Sequence, residues 1–229
     1  MRVEVIIAAG GTGRRFGEGK PKQFYLLKGK PILSWAIGRF EECILVDRII
    51  LVVPRGMGKY TRQHVLSPFG YKKVKTVVEG GKERRDSVLQ GLRVLETDTD
   101  TVLVHDGVRP IISEELIRKV IQATQRWEAV VPGLPLRETI KQVGENNLVR
   151  GTLDKKTIYL AQTPQGFKKD LICRAYAQVK KRGWVASDDA SLVEKLGANV
   201  KMIPGEETNI KITSPQDLVL SELFLENRI

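Results

Sequence analysis

The chain is poor in the residues that build redox, metal and stacking chemistry. Its 229 residues include only 2 cysteines and 2 histidines. Cys43, Cys173, His64 and His105 stand apart, at no metal-ligand spacing and with no disulfide framework. Aromatic residues make up 6%, too few for a surface that stacks unpaired bases between cations. No apolar run approaches the roughly 18 residues a membrane helix needs. The apolar stretch at residues 3–9 is short and meets Glu4 at once, unlike a secretory signal. Repeats, low-complexity tracts and linkers are also missing. These absences predict a soluble, cytoplasmic protein of one domain, residues 1–229; no nucleic-acid or membrane partner is expected, with a basic nucleic-acid-binding protein without catalysis left as the alternative.

Acidic residues are the other shortage. Lys and Arg number 38 against 27 Asp and Glu, a net charge of +11. Such an excess suits polynucleotides, anionic membranes or small phosphorylated ligands alike. Its distribution is more telling. Arg14, Arg15, Lys20, Lys22, Lys28 and Lys30 face one acid, Glu18, and they sit beside a glycine-rich loop.

What is present alternates strand and helix. Residues 3–9, 48–53, 74–78 and 101–105 are apolar runs that read as strands buried on both faces. Residues 33–40, 88–95, 116–121 and 171–179 carry helical spacing, and Ser113 and Ser214 are N-caps. Short strands are predicted at 129–131, 158–161, 200–203 and 210–212, the one at 158–161 in the core. Residues 136–154 read instead as a charged hairpin arm turning at Gly144-Glu145-Asn146-Asn147. The fold class is therefore α/β: a mostly parallel, Rossmann-like sheet with helices on both faces, plus a projecting β-hairpin. Ligands in such sheets bind outside the carboxyl ends of the strands, where residues 10–22, 80–87 and 106–110 fall.

Gly11-Thr12-Gly13 is followed by Phe16 where a dinucleotide fingerprint needs a small residue, and no Gly-Lys-Ser/Thr closes a P-loop. Backbone N–H groups near an anion remain, flanked by Arg15 and Lys22; a plain turn with solvated cations is the alternative. Asp106, ending a buried strand, suits Mg²⁺ or merely a turn. His105 reads as a packed histidine. Arg109 either pairs with Asp106 or faces an anion. Gly80-Gly81 through Ser87 offers groups for a base edge, or simply exposed polar residues. Lys211 lies between Ile210 and Ile212 and needs a partner or a ligand.

Six strings then occur in one order: Ala8-Ala9-Gly10…Gly13-x-Arg15-Phe16, Pro21-Lys22-Gln23, Gly80-Gly81-x-x-Arg84-x-Asp86-Ser87, His105-Asp106-x-x-Arg109-Pro110, Gln162-Thr163-Pro164-Gln165 and Asn209-Ile210-Lys211. Together they resemble the 2-C-methyl-D-erythritol 4-phosphate cytidylyltransferases over nearly the whole chain. The resemblance implies transfer from CTP to methylerythritol phosphate, with pyrophosphate released. It implies that Arg15 and Lys22 stabilise phosphate charge, that Asp106 holds Mg²⁺, and that Lys211 aligns the attacking phosphate. Ala9, Gly10, Gly11, Gly13, Gly81, Ser87 and Asp106 would bind the nucleotide; Arg109, Thr163 and Ser187 would face the acceptor. A homodimer through the hairpin would bring Thr139 and Lys155 to the neighbour's substrate.

The glycine loop is one residue longer than the family's usual form, Gly107 and Val108 replace two alanines, Lys155 an arginine and Ser187 a threonine. The long loop and Val108 also resemble ribitol 5-phosphate cytidylyltransferases. Thr152-Leu153-Asp154-Lys155 is closer to the methylerythritol enzymes.

Overall fold

A computed structural model describes residues 1–11 and 20–226. The chain begins with β1 (Val3–Ala8), the short pair β2 (Leu26–Leu27) and β3 (Lys30–Pro31), then α1 (Ile32–Glu42) and β4 (Arg48–Val53). It continues through α2 (Gly58–Thr61), β5 (Val74–Glu79), α3 (Arg84–Leu92), β6 (Thr101–Asp106), α4 (Glu114–Trp127) and β7 (Ala129–Pro135). β8 (Ile140–Val143), β9 (Val149–Leu153), β10 (Tyr159–Ala161) and β11 (Gln165–Lys168) follow. The last elements are α5 (Lys169–Arg182), α6 (Ala190–Lys195), β12 (Lys201–Pro204) and α7 (Pro215–Glu226).

The main sheet has the order β10-β7-β11-β6-β1-β4-β5, with β12 also paired to β7. β6, β1, β4 and β5 are mutually parallel. β11 runs antiparallel between β6 and β7, and β10 antiparallel on β7. Every residue of β4 and β6 is buried because helices cover both faces. Alternate side chains divide between two cores. Val5, Ile7 and Leu51 pack with Leu33 and Phe40 of α1 and Ile117 and Val120 of α4. Ile6, Val52 and Val104 pack with Val88 of α3, Ile172 and Tyr176 of α5 and Leu192 of α6. Full burial of each such side chain contributes about 1.5–3 kcal/mol, so the central strands are the best-anchored part of the molecule.

From β1 the chain steps to β4 and β5 on one side and then returns to β6 on the other. That reversal opens a crevice beyond the carboxyl ends of β1 and β6. Residues 10–11, 80–87 and 106–110 of the marked segments follow directly from the carboxyl ends of β1, β5 and β6.

Some elements differ from expectation. β10 is an edge strand, not a core one: Tyr159, Leu160 and Ala161 are all exposed. The strand expected at 210–212 is an irregular segment held by Ile212 N donating to Val108 O at 2.9 Å. β11 and α6 escape sequence reading because four and six residues are too short for either periodicity to register. β8 and β9 pair only with each other, in a two-stranded antiparallel sheet off the main one. Among the described residues no helix is long and apolar enough to cross a membrane.

Candidate active site at the sheet's carboxyl edge

Three loops converge at this edge. Ala9, just past β1, donates its N–H to Val52 O at 2.8 Å, which extends the β4 pairing by one residue. Its carbonyl and that of Gly11 accept hydrogen bonds from Gln23 Nε2 at 2.6 and 3.0 Å. Gln23 is buried, so a side-chain amide ties the start of the glycine loop to the residue after Lys22. Gly13 and Arg15 lie outside the described residues.

The second loop follows β5. Gly80 N donates to Val53 O at 2.7 Å. The Ser87 hydroxyl donates to Glu83 O at 3.1 Å and accepts from Gly81 N at 3.2 Å. A Cβ on Gly10 would stand 2.6 Å from Ser87 Oγ, and one on Gly80 would meet the same oxygen at 2.6 Å. The two glycine backbones therefore touch across the crevice, and only glycine permits it. Ser87 shapes this loop from within.

The third loop carries the charge. Asp106 ends β6 and is almost wholly buried. Arg84 Nε donates to its Oδ1 at 2.8 Å; Lys211 Nζ lies 2.9 Å and Arg109 Nε 3.6 Å from its Oδ2. Burial by itself would raise the pKa of this carboxyl. The charges of Arg84, Lys211 and Arg109 outweigh burial and hold it well below the usual carboxylate range. For Arg109 burial wins, and its pKa is lowered. Arg109 Nη1 also donates to Asn209 O at 2.7 Å, so the side chain is held beside Asp106, the first of the two alternatives posed by its spacing.

Thr163 and His105 brace the same strand end. The Thr163 hydroxyl accepts from Asp106 N and donates to His105 Nδ1, each at 3.1 Å. His105 Nε2 donates to Arg109 O at 3.1 Å, which fixes the tautomer. Burial pushes the His105 pKa down to about 4, so the ring is neutral. It is packed edge-on against Phe40, as its place in the sequence suggested.

Lys211 is the exposed member of the cluster, with its side chain 40% accessible. It finds its partner in Asp106 rather than inside an apolar strand. Other expected residues lie elsewhere. Ser187 is exposed, and Thr139 is exposed just before β8. Lys155 donates to Arg137 O at 2.6 Å. Among the described residues none of these three touches Asp106.

Several site residues were not singled out by sequence. Arg84 and Gln23 lie within quoted strings but carry no individual signal there. Asp189 gives none at all: it is buried, and its Oδ2 lies 2.8 Å from Arg84 Nη1. Among the described residues three cations thus surround two carboxylates, one positive charge in excess, beside backbone groups. For a metal, the described residues offer no group of three or more acidic, cysteine or histidine ligands. A cavity of about 730 Å³ between Thr99, Glu128, Lys168 and Arg174 lies at the opposite end of the strands and mixes both charge signs.

A mostly parallel sheet reversing at β1, a glycine contact and a cationic strand end place the chain among α/β proteins with a crevice suited to an anionic ligand. Comparison with known proteins narrows the class. Residues 3–227 match the family model described as IspD, 2-C-methyl-D-erythritol 4-phosphate cytidylyltransferase. The enzyme of that name from Syntrophus aciditrophicus is 41% identical over 225 residues, covering 98% of this chain and 96% of its own. The one from Geotalea uraniireducens is 42% identical over 229 residues, covering 99% and 98%. The crystal structure of the Thermus thermophilus enzyme superposes with a TM-score of 0.82 at 35% identity, covering 99% of this chain and 100% of that one. The chain belongs to the 2-C-methyl-D-erythritol 4-phosphate cytidylyltransferase family.

Proposed function

We propose that this chain transfers the cytidylyl group of CTP to 2-C-methyl-D-erythritol 4-phosphate, releasing pyrophosphate, in the non-mevalonate route to isoprenoid precursors. An oxygen of the acceptor phosphate attacks the α-phosphorus in line as the pyrophosphate bond breaks. The observation that carries this reading is Asp106, held by Arg84, Arg109 and Lys211 beside the Gly10–Gly80 contact. Such transfer depends on positioning and charge relief more than on covalent chemistry. Ala9, Gly10, Gly11 and Gly81 present backbone to the nucleotide, with Ser87 shaping the loop around Gly81; Gly13, outside the described residues, is assigned to the same ligand. Arg15 and Lys22 relieve charge on the phosphates. Lys211 leaves Asp106 for the acceptor phosphate, and Arg109, Thr163 and Ser187 complete the acceptor side.

The donor set suits Mg²⁺ carried on the triphosphate, since that ion commonly uses one or two carboxylates plus phosphates and waters. Asp106 would hold it once Lys211 turns away, and the ion would neutralise phosphate charge. The protein acts in the cytoplasm as a single domain and as a homodimer. Val143, Leu148, Val149 and Leu153 of the β8–β9 region are exposed, as are Tyr159 and Leu160 of β10; a second copy covers them. Thr139 and Lys155 then serve the partner's site.

Pyrophosphate release from CTP, measured with methylerythritol phosphate and with ribitol 5-phosphate, tests the reading. Turnover dependent on methylerythritol phosphate is expected. Faster release with the ribitol ester would replace the acceptor. No release with either, together with tight, steeply salt-dependent duplex binding, would reassign the basic surface to nucleic acid.

A further inference from the structure

We infer that Asp189, backed by Tyr176 and Gln165, is a positioning residue that fixes Arg84 so that Arg84 can hold Asp106 while Lys211 serves the acceptor phosphate. The inference rests on the cytidylyl-transfer reading of the site and concerns residues which that reading leaves without a task.

Arg84 begins α3 and spans two carboxylates. Its Nε reaches Asp106 Oδ1 at 2.8 Å and its Nη1 reaches Asp189 Oδ2 at 2.8 Å. Asp189 is fully buried, a costly place for a carboxylate unless it is paired and hydrogen-bonded. Here it is both. Tyr176 of α5 donates its hydroxyl to Asp189 Oδ1 at 2.6 Å. Gln165 of β11 accepts from the backbone N–H groups of Asp189 and Ala190 at 3.1 and 2.9 Å, while its amide donates to Asp188 Oδ2 at 2.6 Å. β11 pairs with β6, so Asp189 is tied to the strand next to the one that ends in Asp106.

A bland role is available: Asp189 precedes α6 and stands at its N-cap. Its side chain makes no capping hydrogen bond, however, and faces Arg84 and Tyr176 instead. The three cations on Asp106 also differ in how they are held. Lys211 is the exposed one, on an irregular segment. Arg109 is anchored to Asn209 O but stays 3.6 Å from the carboxylate. Among the described residues Arg84 alone both hydrogen-bonds Asp106 and is pinned at its far end by a buried carboxylate. Arginine's planar fork makes this two-ended hold possible. When Lys211 departs, Arg84 preserves the charge balance and orientation of Asp106.

The test is a double-mutant cycle on the full chain, combining Asp189→Asn with Arg84→Gln, with Tyr176→Phe beside it. The readouts are kcat and KM for pyrophosphate release from CTP with methylerythritol phosphate and Mg²⁺, plus thermal melting of each variant. Asp189→Asn should lower kcat by about 30-fold with KM for CTP changed less than about 3-fold, and should cost less than about 3-fold more once Arg84 is Gln. Tyr176→Phe should lower kcat by about 3-fold, again only while Arg84 is present. An unchanged kcat in Asp189→Asn, or an equal further loss in the Arg84→Gln background, overturns the inference. Should Asp189→Asn not fold, Tyr176→Phe in both backgrounds decides by the same criterion. A wild-type chain inert toward every acceptor overturns the reading of the site and this inference with it. An active wild type with additive variants overturns the inference alone.

Discussion

Asp106 stays ionised in a nearly dry setting because its neighbours supply more charge than burial removes. Replacing it by asparagine keeps the shape and deletes the charge, leaving Arg84, Arg109 and Lys211 facing one another across the crevice. Asp106→Asn and Lys22→Ala should each lower kcat for cytidylyl transfer by about 100-fold or more, the scale of losing one stabiliser of transition-state charge. Circular dichroism should show the fold intact in both. Near-wild-type turnover in either would remove that residue from the mechanism. Gln23 shows the limit of reading single residues: its position beside Lys22 is visible in sequence, but its bonds to Ala9 and Gly11 depend on how the loop folds back.

Among the elements, α7 matters because it follows Lys211 directly. Asp217 accepts from Thr213 N at 2.7 Å, Thr213 Oγ1 at 2.8 Å and Ser214 N at 2.8 Å, so the helix start grips the segment that delivers the lysine. Desolvation opposes the charge on Asp217, but these bonds prevail and its pKa is lowered. Asp217→Ala should destabilise the protein by about 1 kcal/mol, read as a lower urea midpoint, and should loosen acceptor binding. An unchanged midpoint would show the cap to be idle. In the β8–β9 pair, Asn146 and Asn147 adopt φ of +55° and +58°, the conformation for which asparagine is suited. Leu148→Glu and Val149→Glu, on this exposed surface, should convert a dimer to monomers in light scattering. Their activity should fall with the dimer if Thr139 and Lys155 work in the partner's site. A chain that is monomeric before mutation would remove the hairpin from any such role.

At the scale of the whole molecule, one buried group makes stability depend on pH. His105 is neutral in the fold with a pKa near 4, against 6.5 unfolded. Above pH 6.5 both states are neutral and nothing changes. As pH falls from 6.5 toward 4, the unfolded chain takes up a proton that the folded chain excludes, and stability drops by about 3 kcal/mol. Asp106 acts in the same direction at the low end of this window, because its folded carboxyl stays ionised while the unfolded one begins to take up a proton. Urea unfolding at pH 7 and pH 4.5 should show the loss, and His105→Gln should flatten it. A wild-type midpoint that does not move would contradict the burial of the ring. The net charge of +11 also gains a partial location: three cations converge at one strand end, although most of the excess remains on the surface.

Apolar runs were enough to predict β1, β4 and β6, because strands buried on both faces must be apolar throughout; β5 is a strand as expected, but it closes the sheet and its residues are half-buried or exposed, so its expected burial on both faces is corrected. The same local chemistry predicted the caps at Ser113 and Ser214, where each signal acts within three or four residues. Asp106 and Lys211 stood out for a related reason: a charged group in or beside an apolar run needs a partner, and the fold pairs the two with each other. Other features belong to the tertiary structure. Whether residues 159–161 lie at an edge or in the core depends on which strand comes next in the sheet, and the chain's own pattern does not encode that. The union of Asp189 with Arg84 likewise spans about a hundred residues of sequence, joined only because β11 inserts beside β6. Local chemistry determined which residues could form strands, caps and anion contacts. The packing of distant segments decided which charges meet, since a buried carboxylate is tolerable only where the fold delivers its counter-ion.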